Sequence, residues 1–243
     1  MFNRLADAYR HRPSYPPELI DRLAALAGGG PVVDLGAGTG LIAVPLAKRG
    51  LEVHAVEPAQ AMLDVLLERD RAGSGRVHLV HAAAEETGLP TRAVRFAVIA
   101  DALHWVDPEL TGREVARVIA PGGTVAVIES IPANTPLMTE LEAHFARFNP
   151  RAQRAPARGA LEQLMRLAGA TGSLQVEAFT QQLSLDPQAL EGIVRSYSFA
   201  GPALGESALR ELLEAVARTL ERHGDAQWTR VLRLTWGTVQ HSG

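Results

Sequence analysis

Val32-Val33-Asp34-Leu35-Gly36-Ala37-Gly38-Thr39-Gly40 opens apolar and β-branched and closes on alternating glycines. The first half suits a buried strand. The residues that follow, Leu41-Ile42-Ala43-Val44, suit a helix packed on a sheet. Glycines at 36, 38 and 40 let the backbone turn tightly and let a ligand come close, because no Cβ intervenes. Such a turn leaves N–H groups free at a helix N-terminus, where polar or anionic atoms are welcome. The dinucleotide fingerprint Gly-x-Gly-x-x-Gly has a third glycine for close helix–strand packing. Here the spacing is Gly-x-Gly-x-Gly, and Leu41 takes that place. Asp34 adds an acid at the strand end, before the first glycine.

A second strand, Glu52 to Val56, ends in Glu57-Pro58. A carboxylate at that tip can accept both hydroxyls of a ribose. The glycine stretch together with Val56-Glu57-Pro58 resembles the class I S-adenosylmethionine (SAM) dependent methyltransferases. The resemblance continues downstream. His81 to Pro90 is similar to the family's adenine-reading segment, although Ala83 stands where a polar side chain is usual. Ile119-Ala120-Pro121-Gly122-Gly123 is similar to its turn before the fifth strand. Asp101-Ala102-Leu103-His104-Trp105 follows the fourth strand, and the His-Trp pair resembles a small-molecule subfamily that includes enzymes acting on carboxylic acids such as trans-aconitate.

By resemblance, Gly36, Ala37, Gly38 and Gly40 hold the methionine end of SAM, and Glu57, followed by Pro58, holds the ribose. Met62, Ala84 and Glu85 fall in the adenine region, and Asp101 and Ala102 near the sulfonium. Core packing is the other reading of Met62. An N-terminal segment with Tyr9, Arg12-Pro13 and Tyr15-Pro16 folds over the cofactor as a lid in the family's small-molecule branch. Anchoring of a packed loop is the other reading of Tyr9, Arg12 and Tyr15. His104 is the one neutral-pH base that falls near the site; Trp105 lies beside it. No metal site is expected.

Strands and helices alternate as far as Ile128, which gives an α/β, Rossmann-like fold with a mostly parallel sheet covered on both faces. The fourth strand runs from Arg95 to Ala100. A helix follows from Pro108 to Ile119, and the fifth strand is Thr124 to Ile128. Pro45 means that the helix after the glycine loop either starts late or is kinked. Gln227 to Val239 is expected as an antiparallel strand at the sheet's far edge, and Arg151 to Arg158 as an arginine-bearing loop. The chain reads as one domain, 1–243. Lid helices occupy 1–29, the SAM-binding core 30–130, and cap helices with the last strands 131–243.

Among the 243 residues, 47% are hydrophobic and 21% charged, as in an ordinary soluble protein. A net charge of −3, with no basic stripe or aromatic platform, argues against nucleic acid. No apolar run is long enough to span a membrane, and the polar N-terminus is no signal peptide, so a cytoplasmic location is expected. The lack of cysteine excludes disulfides and thiol nucleophiles. Lys48 is the only lysine, a bias that carries no mechanistic weight. The reading is a methyltransferase acting on a small molecule, with a carboxylic acid and a quinone-like ring as the suggested acceptors. A non-catalytic SAM-binding module is the alternative, and a nicotinamide-dependent oxidoreductase a more remote one. The sequence leaves oligomeric state open.

Overall fold

Apolar and β-branched residues build the strands around which the chain is arranged. The computed structural model describes residues 5–71, 73, 75–149, 159–184, 187–201, 203–224 and 227–240. The 151–158 loop therefore lies outside the described residues. The strands are β1 (Val32–Leu35), β2 (Val53–Val56), β3 (Val77–Val80), β4 (Val94–Ala100), β5 (Ile119–Pro132), β6 (Gln175–Leu183) and β7 (Trp228–Thr238). They form one seven-stranded sheet in the order β3-β2-β1-β4-β5-β7-β6. β1 pairs in parallel with both β2 and β4, Val33 facing His54 on one side and Ala97 on the other. β3 and β5 extend the parallel set outward.

Two helices, α1 (Ala6–Tyr9) and α2 (Pro17–Ala27), precede β1. The crossovers are α3 (Ala43–Lys48), α4 (Gln60–Arg69) and α5 (Pro108–Val118). Later come α6 (Pro136–Phe148), α7 (Ala160–Leu167), α8 (Pro187–Ser196) and α9 (Glu206–His223). Pro45 is the third residue of α3, a helix that starts late. Its missing N–H is one that has no intrahelical partner anyway, so no kink is needed. α5 starts on Pro108, with the Asp107 carboxylate accepting from the N–H groups of Glu109 and Leu110 at 2.8 and 3.0 Å.

The chain divides into two compact units. One comprises Tyr15–Glu129, Ala155–Phe179 and Arg233–Gly243; the other comprises Met1–Ser14, Ser130–Arg154 and Thr180–Leu232. The first has an aliphatic core that includes Val33, Leu35, Ile99, Val115 and Val127. In the second, Leu137, Leu141, Ile193, Leu212 and Val216 form a separate core.

Three expectations change. β7 is not an edge strand, because β6 lies outside it. The composition explains why: Leu232 and Leu234 of β7 are wholly buried, whereas β6 is largely exposed, Val176 by 62%. Being last in the chain had suggested the edge; the adjacent Leu234 and Thr235, on opposite faces, are both buried, as suits an interior strand. The antiparallel run itself is present. Gly122 N–H donates to Val239 O, Val239 N–H donates to Gly123 O, and Ala133 N–H donates to Thr229 O, so partner numbers fall as β5 advances. β5 also begins earlier than Thr124. Ile119 faces Val94 and Thr124 faces Phe96, so residues 120–123 bulge out opposite Arg95. The Pro-Gly-Gly turn is thus a register irregularity inside the strand. Lastly, of the helices expected over 1–29, the first comprises four residues among those described, Ala6–Tyr9.

One buried polar cluster that the sequence reading missed pins the segment before β4 to α5. The Glu114 carboxylate accepts from Thr87 N–H at 2.8 Å and Thr87 Oγ at 2.6 Å. Arg117 donates to both its oxygens at 2.7 Å and to Leu89 O at 2.7 Å. Burial raises the carboxyl pKa of Glu114, but Arg117 and the Thr87 donors outweigh it and the net effect is lowering. The stabilisation is therefore complete above the ordinary value of 4.5 and fades as pH falls below it. Glu114→Gln should cost about 1–3 kcal/mol at neutral pH, reduced by the partial exposure of Arg117. Denaturant titrations across pH should show the gap between wild type and variant closing in acid.

Candidate functional site

From β1 the chain runs outward through β2 to β3 and returns to β4 on the other side of β1, so a crevice is expected beyond the carboxyl ends of β1 and β4. Every contact described here for that crevice lies in the unit containing β1.

The glycines divide three tasks. A Cβ on Gly40 would sit 2.7 Å from Leu66 Cγ of α4, so this glycine supplies the close packing that the dinucleotide motif assigns to a later one. A Cβ on Gly36 would fall 2.8 Å from Ala102 Cβ. Gly38 meets only Gly36 O, at 4.0 Å, and its φ of +54° is left-handed. Packing therefore gives no reason for a glycine at 38, and approach by a ligand does. Ala37 donates its N–H to Val56 O at 3.0 Å, beside Gly36 N–H to the same oxygen at 2.9 Å.

Glu57 joins the loop to the next strand. Its Oε2 accepts from Gly38 N–H and its Oε1 from Ala59 N–H, both at 3.0 Å. Each carboxylate oxygen has a second lone pair, so a cis-diol remains within its capacity. Burial raises its pKa, opposed by the two backbone donors and by His81. Pro58 contributes its carbonyl, to which His81 Nε2 donates at 3.0 Å.

Further ties close the rim. Glu85 Oε1 accepts from Asp107 N–H at 2.8 Å, linking the loops after β3 and β4. Asp101 adopts φ of +51°, a left-handed conformation that L residues tolerate poorly. It is held there by its N–H to Ile128 O at 2.9 Å and by Tyr15 Oη, which donates to its carboxylate at 2.8 Å. Ala102 is buried beside Gly36. His104 and Trp105 lie in a 3-10 turn, their rings 5.1 Å apart and inclined at 47°.

Asp34 is the costliest group in the site. It is 1% exposed, and neither carboxylate oxygen has a hydrogen-bond partner. Thr39 Oγ is likewise buried and unpartnered. Desolvation raises the Asp34 pKa to about 7; the Ala43 N–H opposes this without completing a hydrogen bond, and the Glu57 charge adds to it.

The structure thus brings Gly36, Gly38, Glu57, Pro58, Asp101 and Ala102 into one tied rim, with Tyr15 on it through Asp101. Ala84 and Met62 are buried, Met62 to 1% exposure, which is the core-packing side of its two readings. Tyr9 and Arg12 belong to the other unit. There the Arg12 guanidinium lies 4.3 Å from the Tyr9 ring centre and donates to Ser196 Oγ at 2.9 Å. These contacts anchor the segment on α8; they show nothing of a lid. Sequence reasoning missed His81, Thr39 and the Tyr15–Asp101 bond. The Asp107-Pro108 pair, a helix-start signal, was available to it.

A family model described as "Methyltransferase domain" matches residues 33–127. An uncharacterized methyltransferase of Mycobacterium tuberculosis (strain ATCC 25618 / H37Rv) is 45% identical over 128 residues, 52% of this chain and 51% of that protein. The ubiquinone/menaquinone biosynthesis C-methyltransferase UbiE of Syntrophotalea carbinolica is 30% identical over 129 residues, 52% of this chain and 54% of that protein. The chain thus spans about half the length of the curated relatives it matches. A solved structure assigned as a type II methyltransferase of Anaeromyxobacter dehalogenans superposes with a TM-score of 0.62 at 25% identity, covering 95% of this chain and 99% of that one.

The glycine tasks are separable. Gly40→Ala should destabilise the fold by about 1–3 kcal/mol through overpacking against Leu66. Gly38→Ala should cost only about 1–2 kcal/mol of backbone strain, yet weaken SAM binding at least as much as Gly40→Ala does. Thermal melts and calorimetric titration of the two variants check this. The glycine loop and the acid that grips it lie within the residues, 33–127, that match the methyltransferase domain, a likeness that points to SAM as the cofactor.

Proposed function

We propose that this chain transfers a methyl group from SAM to a small-molecule acceptor by in-line displacement. The observation that carries the proposal is the grip of Glu57 on Gly38 N–H beside an open Gly38 surface. These residues fit the cofactor: space at Gly38, spare lone pairs on Glu57, and unpartnered buried oxygens on Asp34 and Thr39. When bound, SAM supplies an electrophilic methyl group on a good leaving group. The chain's own residues bind, orient and exclude water. Gly36 to Gly40 take the methionine end, Glu57 the ribose, and Ala84 with Glu85 the adenine region. Asp101 and Ala102 border the sulfonium. Orientation alone can lower such a barrier by up to about 7–11 kcal/mol.

A small-molecule acceptor is supported by the likeness to a UbiE protein, named for ubiquinone and menaquinone biosynthesis. A carboxylate acceptor needs no base. A hydroxyl, amine or acidic carbon must lose a proton, and we assign that role to His104 on the loop after β4. Among the described residues no helix is long and apolar enough to cross a membrane. We read the protein as cytoplasmic. Tyr9, Arg12, Tyr15 and Trp105 we assign to the acceptor side or to the N-terminal lid.

Calorimetric titration with SAM, S-adenosylhomocysteine and NAD, followed by a methyl-transfer screen of organic acids and hydroquinones, tests the proposal. Binding of the two sulfur nucleosides without NAD, with transfer to at least one acceptor, is expected. NAD binding alone, or SAM binding with no transfer to any acceptor or cell extract, would overturn it. Glu57→Gln should weaken SAM by about 10–100-fold, the equivalent of one or two lost charge-assisted contacts. His104→Gln should lower kcat by about 10²–10⁴-fold where the acceptor must lose a proton, and leave a carboxylate acceptor's kcat unchanged.

A further inference from the structure

Five buried side-chain oxygens among the described residues have no partner, and three of them belong to the glycine motif: both carboxylate oxygens of Asp34 and Thr39 Oγ. A buried ionised carboxylate without a donor is strongly disfavoured, and such a group stays neutral unless a positive charge arrives. Asp34 sits on the central strand with parallel neighbours on both sides, so the chain has little freedom to turn it toward solvent. From the end of β2, Glu57 acts on it with a like charge. His81 acts on Glu57, and Asp101, beyond β4, accepts a bond from Tyr15. Among the described residues no cation is bonded to Asp34.

SAM brings what is missing, since it carries a sulfonium and an ammonium against one carboxylate. We propose that Asp34 is a proton-linked sensor of cofactor charge, neutral while the site is empty and ionised when the cationic cofactor is in place, so that binding expels its proton to the solvent. The O–H bond of Asp34 breaks, the electron pair stays on the carboxylate, and buffer takes the proton. Asp34 would thereby discriminate in favour of cationic ligands and make affinity depend on pH near neutrality. The inference depends on SAM as the ligand, but its first half concerns the free protein alone.

Two measurements test it. In the first, the full chain is prepared with aspartate isotope-labelled at the side-chain carboxyl, and its NMR signals are followed with pH. One aspartate should titrate about 3 units above the ordinary aspartate value. That signal should be missing in Asp34→Asn and should turn to the ionised position when SAM saturates the wild type. In the second, SAM is titrated calorimetrically in buffers of different ionisation enthalpy. The wild type should release about 0.9 more protons per SAM than Asp34→Asn at about pH 6, and about 0.1 more at about pH 8. Subtracting the variant removes the cofactor's own amino-group ionisation. Should Asp34→Asn fail to fold, the labelled wild-type titration decides alone. The proposal is overturned if every labelled carboxyl titrates in the ordinary aspartate range. It is equally overturned if the neutral signal persists under saturating SAM, or if wild type and variant release the same number of protons.

Discussion

The bond from Gly38 N–H to the Glu57 carboxylate is the constraint on which the rest of the site depends. It joins the loop after β1 to the loop after β2, and the second oxygen of the same carboxylate holds Ala59 N–H at the start of α4. α4 in turn presents Leu66 to Gly40, where a methyl group would not fit. The loop is thus fixed at one end by hydrogen bonding and at the other by packing. A backbone in left-handed conformations at three alternate positions would otherwise be costly to keep ordered. That order is present before any ligand arrives, which lowers the entropic cost of binding.

The same economy explains why an acid is tolerated in the central strand. β1 is buried along its whole length, and Asp34 lies among Val32, Val33 and Leu35. Its pKa rises from 3.8 to about 7, so between those values the folded state holds a proton that the unfolded state has lost. By linkage, stability falls as pH rises through that window. The fold therefore pays a standing penalty at neutral pH for a group that does no packing work an apolar residue would not do better. Penalties of this kind persist at functional positions, where a partner supplied from outside removes them.

Much of this was legible in the sequence because the signals are local. Short, largely apolar runs rich in valine and isoleucine mark β1 and β4, and glycine spacing marks the loop. The position of β7 was not legible, because chain order says nothing about which of two late strands lies inside. Only the contrast between buried Leu232 and Leu234 and exposed Val176 reveals it. The Tyr15–Asp101 and Thr87–Glu114 bonds were hidden for a related reason. They join residues 86 and 27 positions apart, and no periodicity links a tyrosine in a proline-rich segment to a carboxylate beyond β4. Met62 shows the opposite limit. Helical spacing placed it on the inner face of α4, where it is buried, but spacing alone does not separate a core methionine from a ligand contact.

The loop after β4, assigned above to the acceptor side, is held at both ends. Its first residue, Asp101, is fixed by Tyr15 and by Ile128 O; its last, Asp107, by Glu85 and by its own role as the cap of α5. Between these anchors the backbone turns once, and Trp105 N–H closes the turn on Ala102 O at 2.9 Å. His104 and Trp105 are thereby carried on a short arch with both feet clamped. On the proposed reading, a loop clamped in this way lets the side chains it carries differ while the glycine loop on the cofactor side stays fixed.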